Sequence, residues 1–349
     1  MPIDSLKLGN FRSYASAVFD FSPGVTLVVG PNGAGKTNLL EALYVVATTK
    51  SWRARDRDLI HHGANSYRLG LSTSKLEVEI NYQLGARKRL LVNQTPRPPE
   101  AYLGTLPVVL FEPESLKIIN GVPEDRRRWL NQTCVQSHPR YWRALLAYRR
   151  VVAQRNHLLR QPNQHAVKDQ IFAWDVTLVD LANYLVEVRT QFIKYVNRLA
   201  PRLYRELAGA KTALKLHYQS GLEEGDYASL LLKALNQNLA RDLRLGATGL
   251  GPHRDEVVVA FEHKPAAAVA SRGEIRTLVL ALKLVQLTWL RRHTRHQPLL
   301  LLDDVFSELD RTRRLRLLEK LDKVQTLITA TDQRGLTKQL PALHQLIRL

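Results

Sequence analysis

The stretch from Val25 to Leu40 constrains the fold of this chain more than any other. It reads as an apolar strand (Val25 to Val29), a glycine-rich turn (Gly30 to Gly35) and then Lys36, Thr37 and an apolar-periodic helix. In a phosphate loop of this kind, the glycines let backbone N–H groups surround phosphate oxygens, and the helix N-terminus adds partial positive charge. The sequence therefore predicts a nucleotide site between a strand and a helix of an α/β fold.

Each position of this loop has an expected task. Lys36 neutralises the β- and γ-phosphates of ATP, and the hydroxyl of Thr37 binds Mg²⁺. The alternative is a glycine-rich turn that binds no nucleotide, and the strand before it and the helix after it argue against that alternative. The predicted ATP-binding residues of the loop are Gly30, Pro31, Asn32, Gly33, Ala34, Gly35, Lys36 and Thr37.

A second motif supplies acids. The apolar run Leu299 to Leu302 ends in Asp303 and Asp304, which suits a buried strand that delivers carboxylates at its C-terminal edge. Downstream of a phosphate loop, we interpret this as the Walker B strand. Asp303 is expected to bind Mg²⁺ with Thr37, and Asp304 to polarise the water that attacks the γ-phosphate.

The turn Ser271-Arg272-Gly273-Glu274 opens a long apolar helix. Its spacing predicts a capping box, with Ser271 as the N-cap and Glu274 at the third position, and that alone is a sufficient structural account. The functional interpretation is a second anion site, in which Ser271, Arg272 and Gly273 bind the γ-phosphate held by another copy of the chain.

The charge balance points to a polyanionic partner. Lys and Arg number 51 against 32 Asp and Glu, which gives a net charge of +19 and an isoelectric point near 10.2. We expect DNA rather than a membrane surface, because no basic amphipathic helix with an aromatic face stands out. The first residues lack the apolar core of a signal peptide and no apolar run is long enough to span a bilayer, so we expect a cytoplasmic protein.

The rest of the chain separates into parts. Two alternating runs between Ile3 and Phe21 flank the bend Asn10 to Tyr14, whose Arg12 either contacts the nucleotide or is solvated. An antiparallel meander follows, then a buried strand at Leu106 to Phe111, and beyond Pro123 long helical stretches form an insert. We predict the boundaries as residues 1–115 and 241–349 for two parts of one domain, and 116–240 for the helical insert between them. A last strand is expected at Thr326 to Thr329.

Two basic clusters are candidate DNA contacts, although a charged run is more often a solvated face. Lys50 to Arg57 combines basic residues with Trp52, which would lie near a base or sugar. The other cluster studs the first half of the insert, where helical spacing places several arginines on one side. Its members are Arg126, Arg127, Arg128, Arg140, Arg143, Arg149, Arg150, Arg155 and Arg160.

These motifs together resemble the SMC-like ATPases of the ATP-binding-cassette (ABC) superfamily, and within them the RecF family of recombination mediators. The resemblance spans the chain and rests on NFRSY at Asn10, GPNGAGKTNLLEAL at Gly30, FEPESL at Phe111, GVPEDRRRWL at Gly121, GLGPHRDE at Gly249, SRGE at Ser271, LLLDDVFSELD at Leu300 and TATD at Thr329. It implies an ABC-type P-loop ATPase head with a mixed sheet, an antiparallel β meander and an inserted compact helical lobe without a long coiled coil.

The resemblance also implies a function. ATP would be sandwiched between two head-to-tail copies that close on DNA at single-strand gaps, with RecO and RecR as partners in loading RecA and slow, DNA-stimulated hydrolysis as the release. The resemblance makes the turn Ser271 to Glu274 the signature motif of the family, and Glu274 stands where that motif usually carries Gln. We expect the charge of Glu274 to weaken ATP-driven dimerisation. The lid and γ-phosphate sensor are not recognisable, with Thr331 and Asp332 as stand-ins. The rival functions are an ABC-transporter ATPase subunit and a DNA scaffold with a relic nucleotide site.

Overall fold

A computed structural model describes residues 2–161, 164–223, 225–321, 324–331 and 343–349 of the chain. The strands are β1 (Ile3–Phe11), β2 (Tyr14–Asp20), β3 (Val25–Val29), β4 (Ser66–Thr73), β5 (Glu77–Gln83), β6 (Arg89–Val92), β7 (Thr95–Pro96), β8 (Val108–Phe111), β9 (Leu214–Gln219), β10 (Glu256–Phe261), β11 (Lys264–Pro265), β12 (Leu299–Leu302), β13 (Thr326–Ala330) and β14 (Leu343–Arg348). The helices are α1 (Lys36–Thr48), α2 (Pro99–Tyr102), α3 (Lys117–Asn120), α4 (Pro123–Ser137), α5 (Pro139–Leu159), α6 (Gln164–Ala208), α7 (Tyr227–Gln237), α8 (Leu239–Leu245), α9 (Ala266–Val269), α10 (Arg272–His293) and α11 (Arg311–Leu318).

The chain forms two compact units. The first, which we call the head, comprises Met1–Leu116, Arg202–Lys211 and Ser271–Leu349, and the second, which we call the lobe, comprises Lys117–Pro201 and Thr212–Ala270. These divisions differ from the predicted boundary at 240/241. The reason is that β10 pairs antiparallel with β9, with Phe261 opposite Leu214 and Glu256 opposite Gln219. The residues of β10 therefore belong with the lobe.

The head contains the phosphate-loop strand in a parallel sheet of order β14-β3-β13-β12-β8. All five residues of β3 are buried, as expected for a strand covered on both faces. The expected last strand is present as β13, but it is not the last: β14 pairs parallel to the other side of β3, with Ile347 opposite Val28. The phosphate loop therefore leaves from a strand that has a neighbour on each side.

A six-stranded antiparallel sheet of order β2-β1-β4-β5-β6-β7 completes the head, which confirms the predicted N-terminal pair and meander. Helix α1 contacts strands of both sheets, and its residues Leu39 to Ala47 are all buried. A helix buried on every side must be apolar around its whole circumference, and the sequence LLEALYVVA meets that need except at Glu41.

The lobe is built on helices with a small sheet of order β11-β10-β9. Helix α6 has 45 residues and contains Pro201, yet its antiparallel neighbour α5 has only 21 residues, so this pair forms no long coiled coil. Arg189 of α6 donates hydrogen bonds to the hydroxyl oxygens of Tyr141 at 3.0 Å and Tyr218 at 3.1 Å. The lobe core therefore includes a buried guanidinium as well as apolar side chains.

Candidate functional site

The loop after β3 has the geometry of a phosphate cradle. Pro31, Asn32 and Gly33 are exposed, whereas Gly35 is buried and has a φ of 104°. A Cβ at Gly35 would lie 2.7 Å from the hydroxyl of Tyr14, so this position requires glycine both for its left-handed backbone and for its space. The turn presents its outer residues to solvent and packs its base against the head.

Lys36 folds back over this loop. Its Nζ donates hydrogen bonds to the carbonyl oxygens of Gly30 at 2.7 Å and Pro31 at 2.9 Å. An ammonium held over the loop, beside the N-terminus of a helix, supplies the positive charge that phosphate oxygens require. Lys36 thus lies over the loop, and its contact with the β- and γ-phosphates stays a prediction.

The Walker B acids lie beside the loop. The hydroxyl of Thr37 donates to Oδ1 of Asp303 at 3.1 Å, and the hydroxyl of Thr329 donates to the same oxygen at 2.7 Å. Asp303 is only 8% exposed, and burial raises its pKa above the ordinary value while the hydrogen bonds from Thr329 and Thr37 offset part of that effect. Asp304, the next residue, is exposed. The two acids therefore have different environments, one buried and hydrogen-bonded and the other facing solvent.

The bend between β1 and β2 is fastened to the start of α1. Arg12 donates from Nε and Nη2 to the two carboxylate oxygens of Glu41, at 2.9 and 3.0 Å. Tyr14 donates to the carbonyl of Gly35 at 3.1 Å, and Ser13 accepts from Asn38 at 2.9 Å. Arg12 thus lies near the loop, as one of its two interpretations requires, but its guanidinium is engaged by a carboxylate.

Arg53 is a site residue that the sequence placed only in a general basic cluster. Its Nη2 donates to Oδ1 of Asn38 at 2.7 Å and Oε2 of Glu41 at 2.8 Å, and its charge offsets part of the burial effect that raises the pKa of Asp303. Burial alone would raise the pKa of Glu41, but hydrogen bonds from Arg12, Arg53 and Ser51 hold it below its ordinary value. The spacing of Arg53 from the loop gave no signal, because the contact depends on how the chain turns after α1.

Trp52, predicted near a base or sugar, is half-buried and packs against the head core. Its ring meets that of Tyr44 edge to face, with centroids 5.2 Å apart. An aromatic side chain in such a pair contributes to packing of the core. Lys50 and Arg55 of the same cluster are exposed, and the contact of this cluster with DNA stays a prediction.

The signature turn is a capping box, as the sequence predicts. Oγ and the backbone N–H of Ser271 both donate to Oε2 of Glu274 at 2.7 Å, and the N–H of Glu274 donates to Oγ of Ser271 at 3.4 Å. Ser271 and Arg272 are exposed. The hydrogen bonds of Ser271 thus stay within its own turn, while those of Thr37 join the phosphate loop to Asp303. Thr331 follows the end of β13 and is exposed, and Asp332 lies outside the described residues.

The arginines of the predicted basic cluster in the lobe have different environments. Arg155 is fully buried and bonds to Asp175 and Asp242, each at 2.6 Å. Arg126 pairs with Glu256 at 2.7 Å. These two are structural, because their guanidinium groups are occupied by carboxylates. The lobe arginines that are exposed on α5 are Arg140, Arg143, Arg149 and Arg150.

A phosphate loop, a neighbouring acidic strand and a capped helix on one parallel sheet define the class of P-loop ATPase heads. The RecF/RecN/SMC N terminal domain matches residues 2–348. The DNA replication and repair protein RecF of Symbiobacterium thermophilum is 39% identical over 100% of this chain and 96% of that protein, and that of Lachnoclostridium phytofermentans is 33% identical over 95% and 93%. This chain belongs to the RecF family of the RecF/RecN/SMC group.

Solved structures agree with this assignment. A structure of the recombination mediator protein RecF-ATP in the RecFOR pathway superposes with a TM-score of 0.86 and 27% identity, over 95% of this chain and 92% of that one. The SmcHead bound to the C-winged helix domain of ScpA gives a TM-score of 0.58 at 16% identity, over 99% and 93%, which shows a shared fold alone. Among the described residues, no helix is both long and apolar enough to cross a bilayer.

Proposed function

We propose that this chain is an ATP-dependent DNA-binding protein of recombinational repair, in which ATP closes two copies on DNA at a single-strand gap and slow hydrolysis releases them. RecO, RecR and RecA are the proposed partners, with this protein assisting the loading of RecA. The proposal is supported by the family, by the similarity to a solved structure of RecF-ATP in the RecFOR pathway, and by the net charge of +19.

The observation that carries the ATPase proposal is the hydrogen bond from Thr37 to Asp303. It joins the end of the phosphate loop to the Walker B strand across 266 positions of sequence. A hydroxyl beside a carboxylate is a donor set suited to Mg²⁺, which prefers oxygen ligands. The residues present therefore fit a nucleoside triphosphate with its magnesium ion.

The tasks of the residues follow from their surroundings. Lys36 and the backbone N–H groups of the loop from Gly30 to Gly35, which Pro31 alone lacks, bind and orient the phosphates, and Thr37 with Asp303 holds the cation. Bound Mg²⁺ supplies a Lewis acid that offsets charge on the phosphate oxygens. Asp304 is exposed and accepts the proton of the attacking water, a task for which a buried, doubly hydrogen-bonded carboxylate such as Asp303 is less suited.

The second copy completes the site in this proposal. Its Ser271, Arg272 and Gly273 are exposed or half-buried at the N-terminus of a helix of 22 residues, where backbone N–H groups face an anion. An ATP molecule that contacts the phosphate loop of one copy and the Ser271 turn of the other binds only the dimer in this way, and it therefore shifts the equilibrium towards the dimer. DNA binding would then depend on nucleotide. Neither an ABC-transporter ATPase subunit nor a DNA scaffold with a relic nucleotide site would show this dependence.

The test compares Lys36→Met with Asp304→Asn. Lys36→Met removes the cation over the loop and should weaken ATP binding by about 100-fold. Asp304→Asn leaves the loop intact and should slow hydrolysis by about 100-fold while trapping an ATP-bound dimer on DNA. ATP affinity, phosphate release, sedimentation and retention on gapped and duplex DNA across a salt titration report these steps.

Matched controls are Lys75→Met, in the exposed turn between β4 and β5, and Asp20→Asn, at an exposed position of β2. Equal DNA retention by the Lys36 and Asp304 variants in the presence of ATP would contradict the proposal. Phosphate release that persists after Lys36 substitution would assign the activity to a contaminant and favour a scaffold.

A further inference from the structure

Thr329 lies beside both acids of the candidate site. It belongs to β13, which lies between the phosphate-loop strand β3 and the Walker B strand β12, and it is 1% exposed. Its hydroxyl donates to Oδ1 of Asp303 at 2.7 Å and accepts from the backbone N–H of Asp304 at 2.9 Å. One side chain therefore contacts both acids of the site.

The contact to Asp304 holds an unusual backbone. Asp304 has φ 52° and ψ 27°, in the left-handed region. Side chains with a Cβ enter this region at a cost, and they stay there when surrounding contacts fix them. The hydroxyl oxygen of Thr329 provides such a contact, because a buried N–H that loses its acceptor is destabilising. The direction in which the Asp304 carboxylate leaves the strand thus depends on Thr329.

The contact to Asp303 fixes which oxygen is occupied. Both hydrogen bonds described for this carboxylate, from Thr37 and from Thr329, end on Oδ1. Two donors on one oxygen fix the orientation of the carboxylate. Within the described part of the chain, Oδ2 is therefore the oxygen of Asp303 that is left to bind a cation. Thr37 belongs to the loop and reaches only Asp303, whereas Thr329 reaches both acids.

We propose that Thr329 is a positioning residue that sets the orientation of the buried cation-binding acid and of the exposed acid together, through one hydroxyl that donates to the first and accepts from the second. The consequence for hydrolysis rests on the proposed function, whereas the positioning itself is a property of the chain without nucleotide. A threonine hydroxyl has one hydrogen to donate and lone pairs to accept, which is the combination this position needs.

The experiment compares Thr329→Val, which keeps the shape and removes the hydroxyl, with Thr329→Ser, which keeps the hydroxyl. Thr37→Val is the matched variant that removes a hydrogen bond to Asp303 without touching Asp304. Hydrogen exchange at the Asp304 amide, measured on the full chain without nucleotide, is expected to be about tenfold faster in Thr329→Val than in wild type, Thr329→Ser or Thr37→Val. The amide of Leu301, which lies within β12, serves as the internal reference.

The second readout is the Mg²⁺ concentration required for tight binding of a non-hydrolysable ATP analogue. It is expected to rise about tenfold in both Thr329→Val and Thr37→Val and to stay near wild type in Thr329→Ser. If Thr329→Val does not fold, Thr329→Ala removes the hydroxyl without adding bulk and is measured in its place.

Equal hydrogen exchange at the Asp304 amide in Thr329→Val (or Thr329→Ala) and Thr329→Ser would overturn the inference. An unchanged Mg²⁺ requirement in a Thr329→Val (or Thr329→Ala) protein that still binds the ATP analogue would also overturn it. Failure of the proposed function looks different: wild type would then bind no nucleotide, while the exchange measurement would still decide whether Thr329 holds the Asp304 backbone.

Discussion

Arg12 holds both carboxylate oxygens of Glu41, a side chain with no exposed surface in α1, whose residues Leu39 to Ala47 are all buried. The pair connects the bend after β1 with the helix that begins at Lys36. A bidentate guanidinium fixes the orientation as well as the charge of its partner. Together with the hydrogen bonds of Tyr14 to Gly35 and of Asn38 to Ser13, this contact links the N-terminal hairpin to the phosphate loop.

The first prediction concerns that pair. Arg12→Ala removes one of the two cations on a buried carboxylate, and we expect the free energy of unfolding of the head to fall by about 2 kcal/mol, less than for an isolated buried pair because Arg53 stays bound to Glu41. Urea titrations of Arg12→Ala, Glu41→Gln and the double variant measure this. Energies of the two single variants that add in the double variant would mean that Arg12 and Glu41 do not interact.

The second prediction concerns Glu274. Replacing it by Gln keeps a side-chain oxygen for the Ser271 N–H but removes the negative charge beside the proposed anion site, so ATP-dependent dimerisation should tighten by about tenfold. Glu274→Ala should lose the cap, at about 1 kcal/mol of helix stability. Sedimentation with a non-hydrolysable ATP analogue measures the dimer.

Glu319→Gln, an equal charge change at an exposed position after α11, is the control for net charge. If the dimer of Glu274→Gln is no tighter than that of wild type, the proposed role of the Glu274 carboxylate is wrong. The same conclusion follows if Glu319→Gln tightens the dimer as much as Glu274→Gln does.

The third prediction separates structural from DNA-binding arginines in the lobe. Arg155→Met leaves Asp175 and Asp242 buried without their cation and should lower the free energy of unfolding by about 3 to 5 kcal/mol. Arg149→Ala, at an exposed position six residues earlier on α5, should leave stability unchanged and should reduce the salt dependence of DNA binding by about one counterion.

Thermal unfolding and DNA titrations at several salt concentrations measure the two effects. An Arg155→Met protein with wild-type stability would refute the structural role. DNA binding by Arg149→Ala with an unchanged salt slope would place the nucleic acid elsewhere.

The fourth prediction concerns pH. Burial lowers the pKa of His253 from 6.5 to about 4, with Nδ1 accepting from Tyr148 at 2.6 Å and Nε2 donating to the carbonyl of Thr248 at 3.1 Å. Because the folded pKa lies below the unfolded one, the stabilisation is complete above about pH 6.5 and is lost as the pH falls towards about 4, by up to about 3 kcal/mol.

Unfolding free energies between about pH 8 and about pH 5 should fall less steeply in His253→Gln than in wild type. His157→Gln, which removes an exposed histidine of α5, should keep the wild-type slope. Parallel pH profiles for wild type and His253→Gln would show that this histidine is not held neutral by the fold.

The parts of the fold predicted from sequence are those with strong local signals. The buried run before Gly30, the acids after Leu302 and the Ser271–Glu274 spacing each fix their element through neighbours a few residues apart. Glu41 shows the opposite case. A carboxylate among apolar residues reads as an interruption of the helix pattern, and only the fold reveals that Arg12 and Arg53 approach it from two other segments.

The same limit explains the other departures. Arg155 and Arg149 are both basic positions on one amphipathic helix, and which of them is buried depends on Asp175 and Asp242, which lie on other helices. The pairing of β14 with β3 was not foreseen, because a short run of alternating residues carries no information about a parallel partner far away in sequence.

That pairing has a consequence for how the protein is made. Thr26 and Gln345 share a hydrogen bond although they are 319 positions apart, and on the other side of β3 the strand β13 pairs through Thr326 opposite Val25. During synthesis β3 and the phosphate loop are therefore made long before either strand that flanks them in the sheet. Contacts of such long range form slowly, so we expect newly made chains to pass through a stage in which β3 has neither neighbour.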